Sequence, residues 1–455
     1  MDRSISALSR YATDLRFEDL PADAVHETKR RLVDTLGCFL GGFNAEPSRM
    51  ARAIARRCIG NPPARILGTT EMSTPQEAAF ANGVMMRYLD YNDVYFVQST
   101  GHPSDTISAI LAMADAVHAD GRTVVTATAL AYEPYCNLSE VLPRELGWDM
   151  CVYGVLAGAV GSAKILGLSE ARMAQAISLA ITPNLALEQT RIGELSIWKG
   201  GAAPNAARNA VFAALLAREG FTGPDEAIEG RWGLWHKVGR YNWAPFGGPG
   251  VPFRVTRTHL KNYPAVLHAQ SPITAALKLY GQVPIEDIEL VAIDSYWVAN
   301  RYLDRNSPDW NPATRETADH SIPYLVATAL IEGQVTEASF DQQHLDDPRL
   351  RSLIARTTIR ETAEFTAIYP DGCPCRIEIV SKTGARKVAS ARYFKGHAKN
   401  PLSDGEVEAK FRRLANGLLE PQQTDAILSK LWRCEELADI ADVLELFIVK
   451  RGDHV

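Results

Sequence analysis

The 455 residues contain no run of about eighteen apolar residues free of charge, so a membrane-spanning helix is not expected. The most apolar stretch, 152–168, still carries Lys164 and many small residues, the composition of a tightly packed internal helix. Positive charge is not in excess: 48 Lys and Arg stand against 54 Asp and Glu, a net of -6. That balance argues against nucleic acid or an anionic membrane as the main partner. Any anionic substrate must therefore meet a local cluster of cations. Cysteine is sparse, odd in number and dispersed, with seven residues at 38, 58, 136, 151, 373, 375 and 434. This fits a reducing compartment rather than a disulfide framework. An iron–sulfur dehydratase needs several thiolates around one cluster. Only Cys373 and Cys375 are close in sequence, so no iron–sulfur cluster is expected, and the pair reads as a turn rather than a metal site. The first residues, MDRSISALSRYATDL, have no apolar signal core, and a cytoplasmic location is expected. Internal repeats and low-complexity linkers are missing too.

What is present is an ordinary globular composition, 46% hydrophobic and 22% charged, long enough for two domains. Roughly the first 250 residues read as helices by periodicity. Residues 25–40 are apolar at 25, 32, 33, 36, 39 and 40 and are stopped by Gly41-Gly42. Further helices are expected over 106–117, 123–132, 152–166, 170–181 and 205–218. The pattern then changes: 285–299 alternates and is rich in Val, Ile, Tyr and Trp, which predicts a strand. Residues 357–369, 376–381 and 387–394 are also β-like, with Asp371-Gly372-Cys373-Pro374-Cys375 expected as a hairpin turn. A helix over 320–332 lies among them, and helix returns from Asp404, with Val407, Phe411, Leu414 and Leu418 on one face. The expected fold is mainly α: a discontinuous all-helical domain, residues 1–260 plus 400–455, interrupted by a smaller α/β domain at 261–399.

The richest segment for chemistry is LDYNDVYFVQSTGHPSD, residues 89–105. It puts Asp90 and Asp93 near His102, and Pro103 disfavours helix at His102, so the imidazole sits at the mouth of the next helix with Ser104 or Asp105 as its cap. Free N–H groups there attract anions. Acid–base chemistry on a small anion is one reading. Helix or turn capping by the aspartates, with His102 on a surface loop, accounts for the same residues. Three other places stand out. One is the loop from Arg191 to Lys199-Gly200-Gly201. The second is Lys261 to Gln270, which includes His268. The third is Asp319-His320-Ser321-Ile322-Pro323-Tyr324. A packed lysine can bind a carboxylate, and a tyrosine facing a cleft can donate a proton. A solvated lysine, a structural histidine and a packing tyrosine are the alternatives.

The order and wording of these segments resemble the MmgE/PrpD family, which includes 2-methylcitrate dehydratase, cis-aconitate decarboxylase and iminodisuccinate epimerase. The resemblance rests on RRLVDTLGCFLGG, LDYNDV with GHPSD, AYEPYCNLSEVL, GWD, AKILGLS, RIGELSIWK, AARNAVFAALLAREGFTGP, KNYPAVLHAQS, RETADHSIPYLVATALIEG and GHAKNPLS, spread over nearly the whole chain. It implies a cofactor-independent homodimer whose active site lies between the helical domain and an α/β lid. It implies Asp90, Asp93, His102, Lys199 and Tyr324 as catalytic residues. Arg191, Lys261, His268, Gln270 and Ser104 are implied to hold a polycarboxylate. The KxYPxxxHxQ wording resembles the methylcitrate dehydratase branch, which implies loss of water from a 2-hydroxy tricarboxylate. Decarboxylation, epimerisation and a non-catalytic polycarboxylate binder stay open. Where the family usually has threonine after the second aspartate, this chain has Val94. The lost hydroxyl implies either a different acid or another donor, Ser99 or Thr100.

Overall fold

The computed structural model describes residues 2–142 and 147–449. It is mainly α with a small α/β part. Asp2 opens the chain as a cap: one side-chain oxygen accepts from the Ile5 N–H at 2.8 Å, and the other accepts from Ile228 and Glu229. Two 21-residue helices, Ala22–Gly42 and Gly121–Val141, run through the body, and Cys151–Ile165 and Ala202–Arg218 pack together on small residues. Among the described residues no helix is long and apolar enough to cross a membrane.

Two large apolar cores, beside three smaller clusters, organise the described residues. One collects side chains from Ile5 to Leu260 and resumes from Leu402 to Phe447; the other runs from Ala265 to Phe394 and adds Val94 and Phe96. The helix Asp404–Ala415 returns to pack on Ala22–Gly42, closing the body after the excursion. The last residues of the expected helical domain, 450–455, lie outside the described residues.

In the smaller part, four strands lie in the order Thr357–Glu361, Ile288–Ser295, Cys375–Ser381, Arg386–Ala391; the first pair is parallel and the others antiparallel. Alternation sets the faces: Ile377 and Ile379 turn inward, and Arg376 is exposed. Two expectations are corrected here. Residues 357–369 do not stay extended: the strand ends at Glu361, and Ala363–Ile368 is a short helix. Nor is Asp371–Cys375 a hairpin turn, because Ile288–Ser295 lies between the strands it joins. The hairpin is the next connection, between Cys375–Ser381 and Arg386–Ala391.

Helix crossings in the body are close enough to demand glycine. A Cβ on Gly42 would lie 2.1 Å from the Met85 carbonyl oxygen in the helix Pro75–Arg87. Gly42→Ala is therefore expected to cost about 1–3 kcal/mol through overpacking, read as a lower thermal midpoint in calorimetry.

Candidate active site

The helix Pro75–Arg87 ends just before Asp90, which takes the left-handed conformation at φ 49 and turns its carboxylate inward. Aspartate tolerates that region better than most residues. Its carboxylate is buried beside three cationic neighbours. Arg87 Nη1 donates to Oδ1, Lys261 Nζ lies 3.1 Å from the same oxygen and donates to the Asp90 carbonyl at 2.8 Å, and Lys199 is farther off. Burial opposes ionisation, but Arg87, Lys261 and Lys199 outweigh it and hold the Asp90 carboxyl well below the usual range.

His102 is aimed by its backbone surroundings. Its N–H donates to the Tyr135 hydroxyl at 2.8 Å, and Gly101 is needed because a Cβ there would lie 2.6 Å from the tyrosine. The ring Nδ1 lies 2.6 Å from the Asp93 carbonyl oxygen. A carbonyl can only accept, so Nδ1 carries the hydrogen and Nε2 keeps the lone pair, 3.9 Å from Asp90 Oδ1. Burial first, then Arg87 and Lys261, hold His102 well below its ordinary pKa. It is a neutral imidazole at neutral pH, not a group poised to titrate there.

The two parts enclose a cavity of ≈ 840 Å³ between them, lined by Arg87, Asp90, His102 and Arg191 from the body and by Lys261, His268, Arg301 and His320 from the smaller part. Four cations (Arg87, Arg191, Lys261 and Arg301) line it with two carboxylates, Asp90 and Glu188, and Arg191 and Arg301 are paired in turn with Asp149 and Asp309. A chain of net negative charge thus gathers cations at this cavity. Lys261, buried and beside Arg87 and Lys199, is lowered to about 8. Arg191 is oriented by Asp149, whose Oδ2 lies 2.8 Å from Nε. His268 Nδ1 meets the Tyr296 hydroxyl.

Several of the expected site residues do not reach the cavity. Asp93 is a brace: its Oδ1 accepts from the Ser104 N–H at 3.1 Å and its Oδ2 from the Tyr132 hydroxyl at 2.8 Å. The helix start does receive a carboxyl group, but it is that of Asp93 itself. Ser104 is buried, and its hydroxyl accepts from Asn92. Gln270 spends both amide atoms on the loop it follows, accepting from Asn262 and Tyr263 and donating to Tyr263 and Ala265. Tyr324 is 2% exposed in the second core, and its hydroxyl donates to the Ser339 carbonyl at 2.6 Å. Lys199 is buried rather than solvated, with its ammonium on Asp319 at 2.6 and 2.8 Å, so it supports the cavity wall from behind. Val94 does not face the cavity either. Its side chain belongs to the second core and its backbone pairs with His259, while Ser99 and Thr100 do line the cavity.

Arg87, Arg301 and His320 were not singled out from sequence. Arg87 stands three residues before Asp90 at a helix end, and His320 lies inside the same DHSIPY phrase from which Tyr324 was chosen. His320 lies 2.5 Å from Asp319 through Nδ1, and burial with Lys199 nearby lowers it to about 4. Asp90, Asp319 and His320 present ligand atoms within 4.8 Å of one another. Arg87 and Lys261 on Asp90, and Lys199 on Asp319, already balance that charge, so the group is an ion-pair network without excess negative charge for a cation.

Comparison with known proteins gives a consistent picture. A family model for the MmgE/PrpD N-terminal domain matches residues 6–245, and one for the MmgE/PrpD C-terminal domain matches residues 263–433. The chain is similar to 2-methylcitrate dehydratase of Salmonella typhimurium, 30% identical over 92% of each chain. It is also similar to 2-methylcitrate dehydratase of Cupriavidus necator, 31% identical over 78% of this chain and 77% of the relative. A fungal alkylcitrate dehydratase is 28% identical over 99% of this chain and 94% of its own. Because Tyr324 donates to a backbone carbonyl away from the cavity, Tyr324→Phe is expected to keep turnover within about twofold. It should cost about 1 kcal/mol of stability, checked by steady-state kinetics and denaturation side by side.

Proposed function

The chain belongs to the MmgE/PrpD family, and on that premise we propose that it removes water from a 2-hydroxy tricarboxylate such as 2-methylcitrate, leaving a cis-aconitate-type alkene. It is a hydro-lyase of the citrate-dehydratase kind, which the names of its relatives support. The observation that carries the finer reading is the His102 tautomer: a buried, neutral imidazole with Nε2 as acceptor, inside a cavity rich in cations.

In the proposed reaction the substrate carboxylates meet Arg87, Arg191 and Arg301. Pairing a carboxylate beside the reacting carbon stabilises the charge that develops when its proton leaves. His102 Nε2 takes that proton, the C–H electrons become the second bond of the alkene, and the C–O bond breaks. The departing hydroxyl takes a proton from the Lys261 ammonium, whose lowered pKa makes it a better acid than an ordinary lysine, and leaves as water. Asp90 holds Lys261 and stabilises the imidazolium. Support for the α/β part acting as a lid over residues 261–399 is that it supplies one wall of the cavity through its own core. Support for a homodimer is the set of large apolar side chains left exposed along 185–198, namely Leu185, Leu187, Ile192, Ile197 and Trp198. We infer a cytoplasmic location from the reduced, dispersed cysteines.

Incubation with 2-methylcitrate while following alkene absorbance tests the reaction, and no turnover on any citrate-type acid would sink it. His102→Ala is expected to lower kcat by roughly 10²–10⁴ while circular dichroism and the thermal midpoint stay near wild type. An active variant would remove His102 from the mechanism. The pH dependence follows from Lys261. Its charged form is present below about 8 and is lost as pH rises through that value, so kcat/KM should fall on the alkaline side. A bound polyanion favours the ammonium, so the same limb in kcat should lie at higher pH. Lys261→Arg should move the limb out of range at a reduced rate, and a flat wild-type profile from roughly pH 7 to 9.5 contradicts the assignment.

A further inference from the structure

Away from the cavity, both passages of the chain between the two parts meet in one seam. The chain leaves the body at His259 and Leu260 and returns between Phe394 and Leu402. Leu260 donates to the Gly396 carbonyl at 3.0 Å, and a Cβ on Gly396 would lie 1.9 Å from the Leu260 carbonyl oxygen, so the crossings touch through bare backbone. His259 from one crossing and His397 from the other stack at 4.3 Å, both buried, with Phe96 against the pair. Each ring accepts from backbone: His259 Nδ1 takes the Ala398 N–H at 2.9 Å, and His397 Nδ1 takes the Lys399 N–H at 3.0 Å. An N–H can only donate, so both Nδ1 atoms are unprotonated and both rings are neutral. The seam reaches His102 through one peptide plane. The Val94 N–H donates to the His259 carbonyl at 2.8 Å, and the His259 N–H donates back at 2.9 Å. The peptide group that carries the Val94 N–H also carries the Asp93 carbonyl, which holds His102 Nδ1. Because that group is planar and rigid, the His259 backbone and the His102 ring are fixed to opposite ends of one small body.

We propose that the His259–His397 pair is an acid-released latch: neutral, it binds both crossings to the Val94 segment and so aims His102, and a proton on either Nδ1 displaces a backbone N–H and opens the seam. The surroundings favour release over accommodation of the new charge. Arg31, from the first long helix, and Arg257 face His259, Lys399 faces His397, and each ring faces the other. Asp371 is the carboxylate set against His397, and Tyr393 packs on the same ring at 4.9 Å. Burial first, and then these cations and the neighbouring ring, hold both histidines below the ordinary 6.5, His397 at about 4. An opened ring binds a proton that a closed one refuses. The closed seam is therefore fully favoured above about 6.5 and loses stability as pH falls from there toward 4. The latch works on the fold and holds whatever acid the cavity takes.

Amide hydrogen exchange of the whole chain from roughly pH 7 to 5 is the test. Protection factors at Val94, Leu260, Ala398 and Lys399 should fall by roughly tenfold per ring for each unit below about 6, while the protected amides of the strand Cys375–Ser381 keep theirs. Unchanged protection at the four seam amides overturns the latch, and so does a uniform loss at every amide, which is ordinary acid unfolding. Ring-nitrogen shifts in NMR should show both histidines in the Nε2–H form at neutral pH. The His102 Nδ1–H resonance should disappear over the same range as the seam amides, and a signal that outlasts them cuts the link from seam to His102. His259→Asn and His397→Asn each keep an acceptor near the Nδ1 position but cannot take the proton. Each should remove about one decade per pH unit from the slope, and a slope unchanged in both overturns the assignment. If neither variant folds, the wild-type series decides the matter by itself.

Discussion

The buried carboxylate of Asp90, held between Arg87 and Lys261, is the constraint on which the site is built. Taking three charges out of water is costly, and such a group repays the cost only when its geometry is tight and its remaining hydrogen bonds are met. Here Lys261 meets both the side chain and the backbone carbonyl of Asp90, which fixes the left-handed turn at that residue. The ion group adds little net stability compared with an apolar cluster of the same volume. What it supplies is register. Arg87 belongs to a body helix, and Lys261 stands where the chain leaves for the smaller part, so the two parts meet correctly only when these charges do.

Lys410 extends that constraint to the far end of the chain. It lies on the helix that forms after the chain returns to the body, and its ammonium reaches Asp34 at 2.7 Å, the Tyr91 carbonyl at 2.7 Å and the Lys261 carbonyl at 3.1 Å. One buried cation thus ties the first long helix, the Asp90 loop and the exit segment together. Arg413, one turn later, bridges the Tyr91 hydroxyl and Glu337 of the smaller part. The C-terminal helix thus helps hold the two sides of the site in place.

Periodicity made most of the helices legible, because burial on one face repeats every three to four residues and glycine ends the pattern. It failed over 357–369, where Thr, Ile and Phe favour strand locally. Tertiary pairing decides that case: residues 357–361 find a parallel partner in Ile288–Ser295, while Ala363 onward has no edge to join and closes into a helix. Strand order is equally hidden, so a turn-like Asp-Gly-Cys-Pro-Cys segment looked like a hairpin. At the site, His102 and Asp90 stood out because Pro103 and the aspartates mark a turn, and Lys261 because a cation, an imidazole and an amide fall within ten residues. Side-chain direction was not. Asp93, Gln270 and Tyr324 sit within a few residues of cavity-lining groups and point instead at Tyr132, at the 262–265 loop and at Ser339. Spacing along a chain names neighbours, whereas a cavity is defined by which neighbour turns inward.

In the reaction proposed above, the same cations explain how a weak base becomes a working one. Burial with Arg87 and Lys261 nearby depresses His102, which keeps Nε2 unprotonated and available. A proton placed there would be repelled by those cations. A polycarboxylate that enters pairs with them, and the repulsion is traded for attraction to the substrate's own negative charge and to Asp90. On the proposed mechanism the affinity of His102 for a proton therefore rises at the moment a substrate carbon presents one. Binding and basicity are two consequences of one charge balance. A ligand lacking the carboxylates would leave His102 as weak as the empty site makes it, so discrimination against uncharged alcohols needs no separate steric device.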